Sequence, residues 1–178
     1  MKSIIALIIT VVTSVSSSSS SPVPTDSVPV NKYNEMGYTD ITGRTVGDVA
    51  AEIGMELDEF LELYWLPEDM PADTNENAAY NNIPLAKMAE EHGMSVDEIK
   101  ELLQMPDDVT DYMPWGEALD KVTLGAYVGE DYLDEFKEYY GFGDDVTAQT
   151  LWGEVRQRAE AVDREMADEE QQGSGLFR

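Results

Sequence analysis

One motif occurs three times in this chain, and that repetition restricts the fold more than any other feature. Residues 57–69 read LDEFLELYWLPED, residues 96–108 read VDEIKELLQMPDD, and residues 133–145 read LDEFKEYYGFGDD. Asp58, Asp97 and Asp134 align, so the copies are spaced by 39 and 37 residues. The second and third copies also share Asp-Asp-Val-Thr at 107–110 and 144–147, followed by Trp-Gly-Glu at 115–117 and 152–154. A period of this size is that of one supersecondary unit, which is too small to bury its apolar face alone and must stack on its neighbours.

Inside each copy the apolar spacing is helical. Val46, Val49, Ala50 and Ile53 in copy one match Leu85, Met88, Ala89 and His92 in copy two, a stripe at i, i+3, i+4 and i+7. First helices are expected to start near Thr45, Pro84 and Thr123, and Gly54 and Gly93 supply the residue best able to turn the chain at the end of the first two. Copy three lacks that glycine and is two residues shorter, so its turn must differ. Ser95 with Glu98 forms a capping-box pattern at the start of a second helix, and Asp131 with Asp134 gives a weaker version. The second helices are expected to bury Leu57, Phe60, Leu61 and Tyr64, then Val96, Ile99, Leu102 and Leu103, then Leu133, Phe136, Tyr139 and Tyr140. Pro67, Pro106 and Gly143 are the expected stops. Trp152, Val155, Ala159, Val162 and Met166 then form the seam of a longer carboxy-terminal helix, which either packs back on the repeats or self-associates.

The expected fold is therefore all-α: three tandem helix-turn-helix repeats over residues 43–81, 82–120 and 121–156, stacked in a small array, with a longer C-terminal helix to residue 166. Residues 167–178, rich in Glu, Gln and Gly, are expected to fray. At the other end, Lys2 precedes an apolar run from Ile4 to Val15. Twelve residues make about 18 Å of helix, short of a hydrocarbon core of about 30 Å. Residues 1–21 read as a signal peptide, with an uncleaved anchor as the alternative, and the tract Ser16 to Ser21 supplies small residues without singling out one bond. Residues 22–42, with Pro22, Pro24 and Pro29 among Ser, Thr and Asp, read as a linker.

Charge narrows the function. The chain has 37 acidic against 11 basic residues, a net charge of −26, which repels phosphate backbones and attracts cations or basic partners. Nucleic acid is excluded as a partner on that ground, and the second helices carry Asp-Glu where a DNA-recognition helix would carry Arg or Lys. With no cysteine there is no disulfide, thiolate metal site or thiol nucleophile. His92 is the only histidine and sits where a histidine favours a helix C-terminal dipole.

Other chemistry-bearing patterns yield to structural readings. Asp73, Asn75 and Asn77 alternate like calcium-loop ligands, but Ala78 stands where glycine is expected and Pro84 where a bidentate glutamate is needed. The acid pairs Glu68/Asp69, Asp107/Asp108 and Asp144/Asp145 recur once per copy, as cation sites or an acid and base would require, and also as solvated turn residues inherited with the repeat would. Trp65, Trp115 and Trp152 offer a stacking face, yet the equivalence of Trp115 and Trp152 favours packing between copies. No residue is assigned a catalytic, ligand-binding or metal role, and no cofactor is expected.

Two resemblances emerge. The run PLAKMAEEHGMSVDEIKELLQMPDDV at 84–109 resembles small helical modules appended to bacterial and archaeal membrane redox proteins, which implies a helical fold and no particular functional residue. Tyr38, Thr39, Gly43, Thr45, Val46, Ala50 and Gly54 are spaced as in the opening of LysM, the peptidoglycan- and chitin-binding module. Arg44 replaces that family's usual aspartate, and Trp65 and Leu66 stand near the place of its asparagine. The expected function is an exported, non-enzymatic interaction or structural protein with a protein or cationic partner, the LysM-like cell-wall role being the alternative.

The acidity serves either a basic partner or solubility in high salt, and both rest on carboxylates that repel one another. Added salt screens that repulsion, so unfolding followed from low to molar salt is expected to shift to higher temperature; a flat response would contradict it.

Overall fold

A computed structural model describes residues 31–34 and 43–173, with the backbone alone for Arg164 and residues 167–173. Residues 1–30, 35–42 and 174–178, which include the expected signal peptide and most of the expected linker, lie outside the described residues. The described residues contain nine α-helices and no strand. Copy one comprises α1 (Val46–Glu52), α2 (Leu57–Leu63) and α3 (Glu76–Asn82). Copy two comprises α4 (Leu85–Glu91), α5 (Val96–Leu102) and α6 (Trp115–Asp120). Copy three comprises α7 (Leu124–Val128), a 3-10 turn (Glu130–Tyr132), α8 (Leu133–Tyr140) and α9 (Trp152–Gly173).

Each first helix begins with unpaired backbone donors, as every helix does. Thr45 caps α1 through a complete capping box with Asp48, and Thr123 caps α7, whereas Pro84 offers α4 no side-chain cap. A loop further along the chain supplies the rest. Val46 N donates to Thr74 O (2.8 Å) and Gly47 N to Ala72 O (2.9 Å); Leu85 N donates to Met113 O (2.9 Å) and Ala86 N to Asp111 O (2.8 Å); Leu124 N donates to Thr150 O and Gly125 N to Ala148 O (both 2.8 Å). In return Glu76 N donates to Arg44 O (3.0 Å), Trp115 N to Ile83 O and Trp152 N to Val122 O (both 2.8 Å). The same three bonds, with one isolated antiparallel bridge, thus close every copy.

The third helices are the main departure from the sequence expectation, which gave each copy two helices. ENAAYNN and WGEALD are too short and too polar to show an apolar stripe. They fold because α3 is capped by Asn75, whose Oδ1 accepts from Asn77 N (2.9 Å) and Ala78 N (3.2 Å), and because the closing bonds deliver both helices onto the core. In the stack, α3 packs on α6 and α6 on α9. The longer C-terminal helix is therefore the third helix of copy three, prolonged. It runs to Gly173, beyond the point where fraying was expected.

Turn chemistry also differs from expectation. The helices α2, α5 and α8 end before Pro67, Pro106 and Gly143, at left-handed residues Trp65 (φ 55°), Gln104 (φ 50°) and Gly141 (φ 66°). There the next amide reaches back to Leu61 O (2.8 Å), Lys100 O (2.9 Å) and Lys137 O (2.8 Å). Pro67, Pro106 and Gly143 instead open the turns that tuck in the buried Met70, Val109 and Val146. Gly54 and Gly93 end α1 and α4 as expected, and in copy three Gly129 (φ 93°) with the 3-10 turn takes over. Asp131 lies in that turn and does not cap α8.

The core runs through equivalent positions: Val46, Leu85 and Leu124; Ala50, Ala89 and Val128; Met70, Val109 and Val146; Ala79, Ala118 and Val155. Seven-residue helices are marginal alone, so this burial, about 1.5–3 kcal/mol for each large aliphatic side chain, carries their stability. Ile53 and His92, last in the first-helix stripe, are exposed because α1 and α4 end there and the chain turns. Leu102 and Tyr139, expected inside, are also exposed.

The folded part starts earlier than Gly43. Tyr33 is buried, and Asn31 donates to Thr74 Oγ1 (2.9 Å) while Asn34 Oδ1 accepts from Asn75 N (2.8 Å).

Helix stacking leaves no room at Gly153, where a Cβ would lie 2.8 Å from Asp120 Cβ and 2.9 Å from Asp120 O. Gly153→Ala is expected to force α9 off α6 and lower the unfolding free energy by about 1–3 kcal/mol, read from the denaturant midpoint.

Candidate partner-binding face

The acid pairs are resolved in one pattern. In copy two Lys121 Nζ contacts Asp108 Oδ2 at 2.5 Å, and in copy three Arg158 contacts Asp145 Oδ2 at 3.5 Å. Lys121 and Arg158 are equivalent, just after or within the third helix. The equivalent residue in copy one is Asn82, and Asp69 is met instead by Lys32 Nζ (2.5 Å) and the Tyr33 hydroxyl. The second acid of each pair therefore faces a cation of the same chain. Among the described residues no group of three or more His, Asp or Glu side chains could hold a metal ion.

The other sequence candidates take structural places. Asn75 is a helix cap, Asp73 Oδ1 accepts from Asn31 (3.2 Å), and Asn77 sits in the first turn of α3. His92 is the exposed C-cap of α4. Trp115 is buried, and Trp152 stacks on Tyr127 at 4.8 Å and meets the Phe136 edge at 6.3 Å. Trp65 stays 47% exposed, with Lys87 Nζ 6.0 Å from its ring centroid. Among the residues behind the LysM resemblance, Thr45 caps α1, Val46 and Ala50 are buried, and Gly54 turns the chain, while Tyr38 and Thr39 lie outside the described residues.

The outer side of the second helices is exposed. Each carries Asp, Glu and Glu at the same three positions: Asp58, Glu59 and Glu62; Asp97, Glu98 and Glu101; Asp134, Glu135 and Glu138. All nine are exposed. Beside them stands one apolar residue per copy, Leu63, Leu102 and Tyr139, at 43, 46 and 59% exposure. Lys100 stands where copy one has Leu61 and is half-buried, its Nζ donating to Val109 O at 2.7 Å, and Lys137 at the same position of copy three is half-buried too. That substitution explains why Leu102 and Tyr139 read as core in the sequence. Their register follows copy one, where Leu61 faces in and Leu63 faces out.

Comparison with described protein families, with curated proteins and with solved structures finds no match to this chain. Among the described residues no helix is long and apolar enough to cross a membrane.

Several carboxyls titrate below their ordinary range: Asp48 and Glu98 through the backbone N–H bonds they accept from Thr45 and Ser95, Asp69 through its bond to Lys32, and Asp108 through its bond to Lys121. Burial works the other way on Asp163, raising it. A depressed acid stabilises the fold above its unfolded value, about pH 4, and that contribution disappears as pH falls through the folded value. The melting temperature is therefore expected to drop as pH falls below about 4; a rise continuing to pH 3 would contradict the assigned caps and pairs.

Proposed function

We propose that this chain is an exported, non-catalytic interaction module in which three stacked helical repeats hold a row of acidic, apolar-studded second helices toward a basic partner. One observation carries the reading: Asp, Glu, Glu and an exposed Leu or Tyr recur at the same positions of α2, α5 and α8, with no exposed lysine or arginine on these helices to neutralise them. The core accounts for the buried residues, and none of it requires Leu63, Leu102 and Tyr139 to be apolar. A partner that covers them gains burial, while the surrounding carboxylates raise its encounter rate and set its sign of charge. Recurrence over three copies adds multivalency, so a partner with regularly spaced cationic groups gains avidity without any single strong contact. Attachment to a membrane redox complex is the setting implied by the resemblance of residues 84–109.

A basic amphipathic helical peptide is expected to bind the full chain with an affinity that falls as salt rises. Joint replacement Leu63→Ser, Leu102→Ser and Tyr139→Ser should weaken it by about tenfold or more with helicity unchanged by circular dichroism. Equal binding by the triple variant, or salt-resistant retention on purified peptidoglycan or chitin, would replace this reading with the cell-wall one.

A further inference from the structure

We propose that the loop from Asp69 to Asn75 in copy one is a recognition slot for a short Asn-Lys-Tyr-Asn peptide, and that residues Asn31–Asn34 are the ligand the chain supplies to itself. All four residues of the segment are engaged. Asn31 Nδ2 donates to Thr74 Oγ1 (2.9 Å) and Asp73 Oδ1 (3.2 Å), Lys32 Nζ meets Asp69 Oδ2 (2.5 Å), and the Tyr33 hydroxyl donates to Asp69 Oδ1. Asn34 Oδ1 accepts from Asn75 N (2.8 Å), and its Nδ2 reaches Asp73 O (3.5 Å). The Tyr33 ring is buried, 7% exposed, although it lies ahead of the first helix.

The other two copies show why the slot exists. Asp108 and Asp145, equivalent to Asp69, take their cations from Lys121 and Arg158. The matching side chain in copy one is Asn82, which is neutral and donates to Ala78 O (2.7 Å). Copy one therefore keeps the acid and its loop but lacks the in-array cation, and a passing segment of different backbone fills the place. Recognition here rests on a buried aromatic ring and four directional polar side chains; a screened, exposed ion pair alone is weak.

Occupancy within one chain is favoured by the connection. Asn34 bonds Asn75, and Arg44 O receives the amide of the next residue, Glu76. The ten-residue step from Asn34 to Arg44 thus joins points held by adjacent residues, and a short connection of this kind acts as a local concentration in the millimolar range. A peptide from outside must overcome that advantage, so the slot is self-occupied unless its ligand is displaced or removed.

The test uses the full chain with Lys32→Ala and Tyr33→Ala, which empties the slot, and a synthetic peptide with the sequence of residues 30–34. The peptide is expected to shift the amide resonances of Asp69 to Glu76 in the emptied chain, to bind the unaltered chain about tenfold more weakly or less, and to lose binding when Asp69→Ala is added. Asn82→Lys in the otherwise unaltered chain provides a second reading that leaves Tyr33 in place. It restores the cation of copies two and three, and should loosen the segment and speed hydrogen exchange of the Asn75 amide by about tenfold. Equal shifts in the Asp108 and Asp145 loops, or a folded emptied chain that ignores the peptide while Asn82→Lys leaves Asn75 protected, would overturn the assignment.

Discussion

Everything in this array depends on a triplet of backbone hydrogen bonds that ties the start of each first helix to a loop 23 to 28 residues later. Two helix amides are given carbonyl partners, and one carbonyl is returned to the amide that starts the third helix. Such bonds contribute only about 0.5–1.5 kcal/mol each, but they join segments that would otherwise have no fixed relation. Copy two shows the dependence best, since Pro84 can supply neither a side-chain cap nor its own amide. The two-residue shortening of copy three falls in its first turn, where Gly129 and the 3-10 helix absorb it, and all three bonds persist. Closure in turn aims α3, α6 and α9 at one another, so the same local device that completes a unit also sets the stacking between units.

Charge is distributed with equal regularity. One acid of each loop pair is matched to a cation of the same chain, while the Asp, Glu and Glu of every second helix have no exposed lysine or arginine on their own helix. Each copy therefore has an inner electrostatic account that is settled locally and an outer one that faces solvent. The single apolar residue beside the outer acids stays about half exposed in every copy, and the proposed partner face rests on that recurrence.

Elements with strong periodic signals were legible in the sequence. The helix starts at Thr45 and Ser95, the glycine turns at Gly54 and Gly93, and the all-helical class follow from spacing and capping chemistry that act over a few residues. What escaped is set by contacts distant in sequence. ENAAYNN has no stripe and owes its helix to the Asn75 cap and the closing bonds, and Asn31–Asn34 look like linker because their partners lie some forty residues away. Leu102 and Tyr139 sit outside expectation for a subtler reason: adjacent apolar residues permit two registers, and the half-buried lysine in the place of Leu61 removes the apolar mark that would select between them. The carboxylates of the candidate face were visible from the start, but their exposure, and that of the apolar residue beside them, required the register.

The length of α9 has a further meaning. Ile83 and Val122 leave their preceding third helices in time for their carbonyls to start the next one. Ala159 occupies the same place in copy three, but there the helix runs straight through, and its carbonyl is committed to the helix's own ladder. The carbonyl that Ile83 and Val122 present to the following third helix is thus spent inside α9 itself.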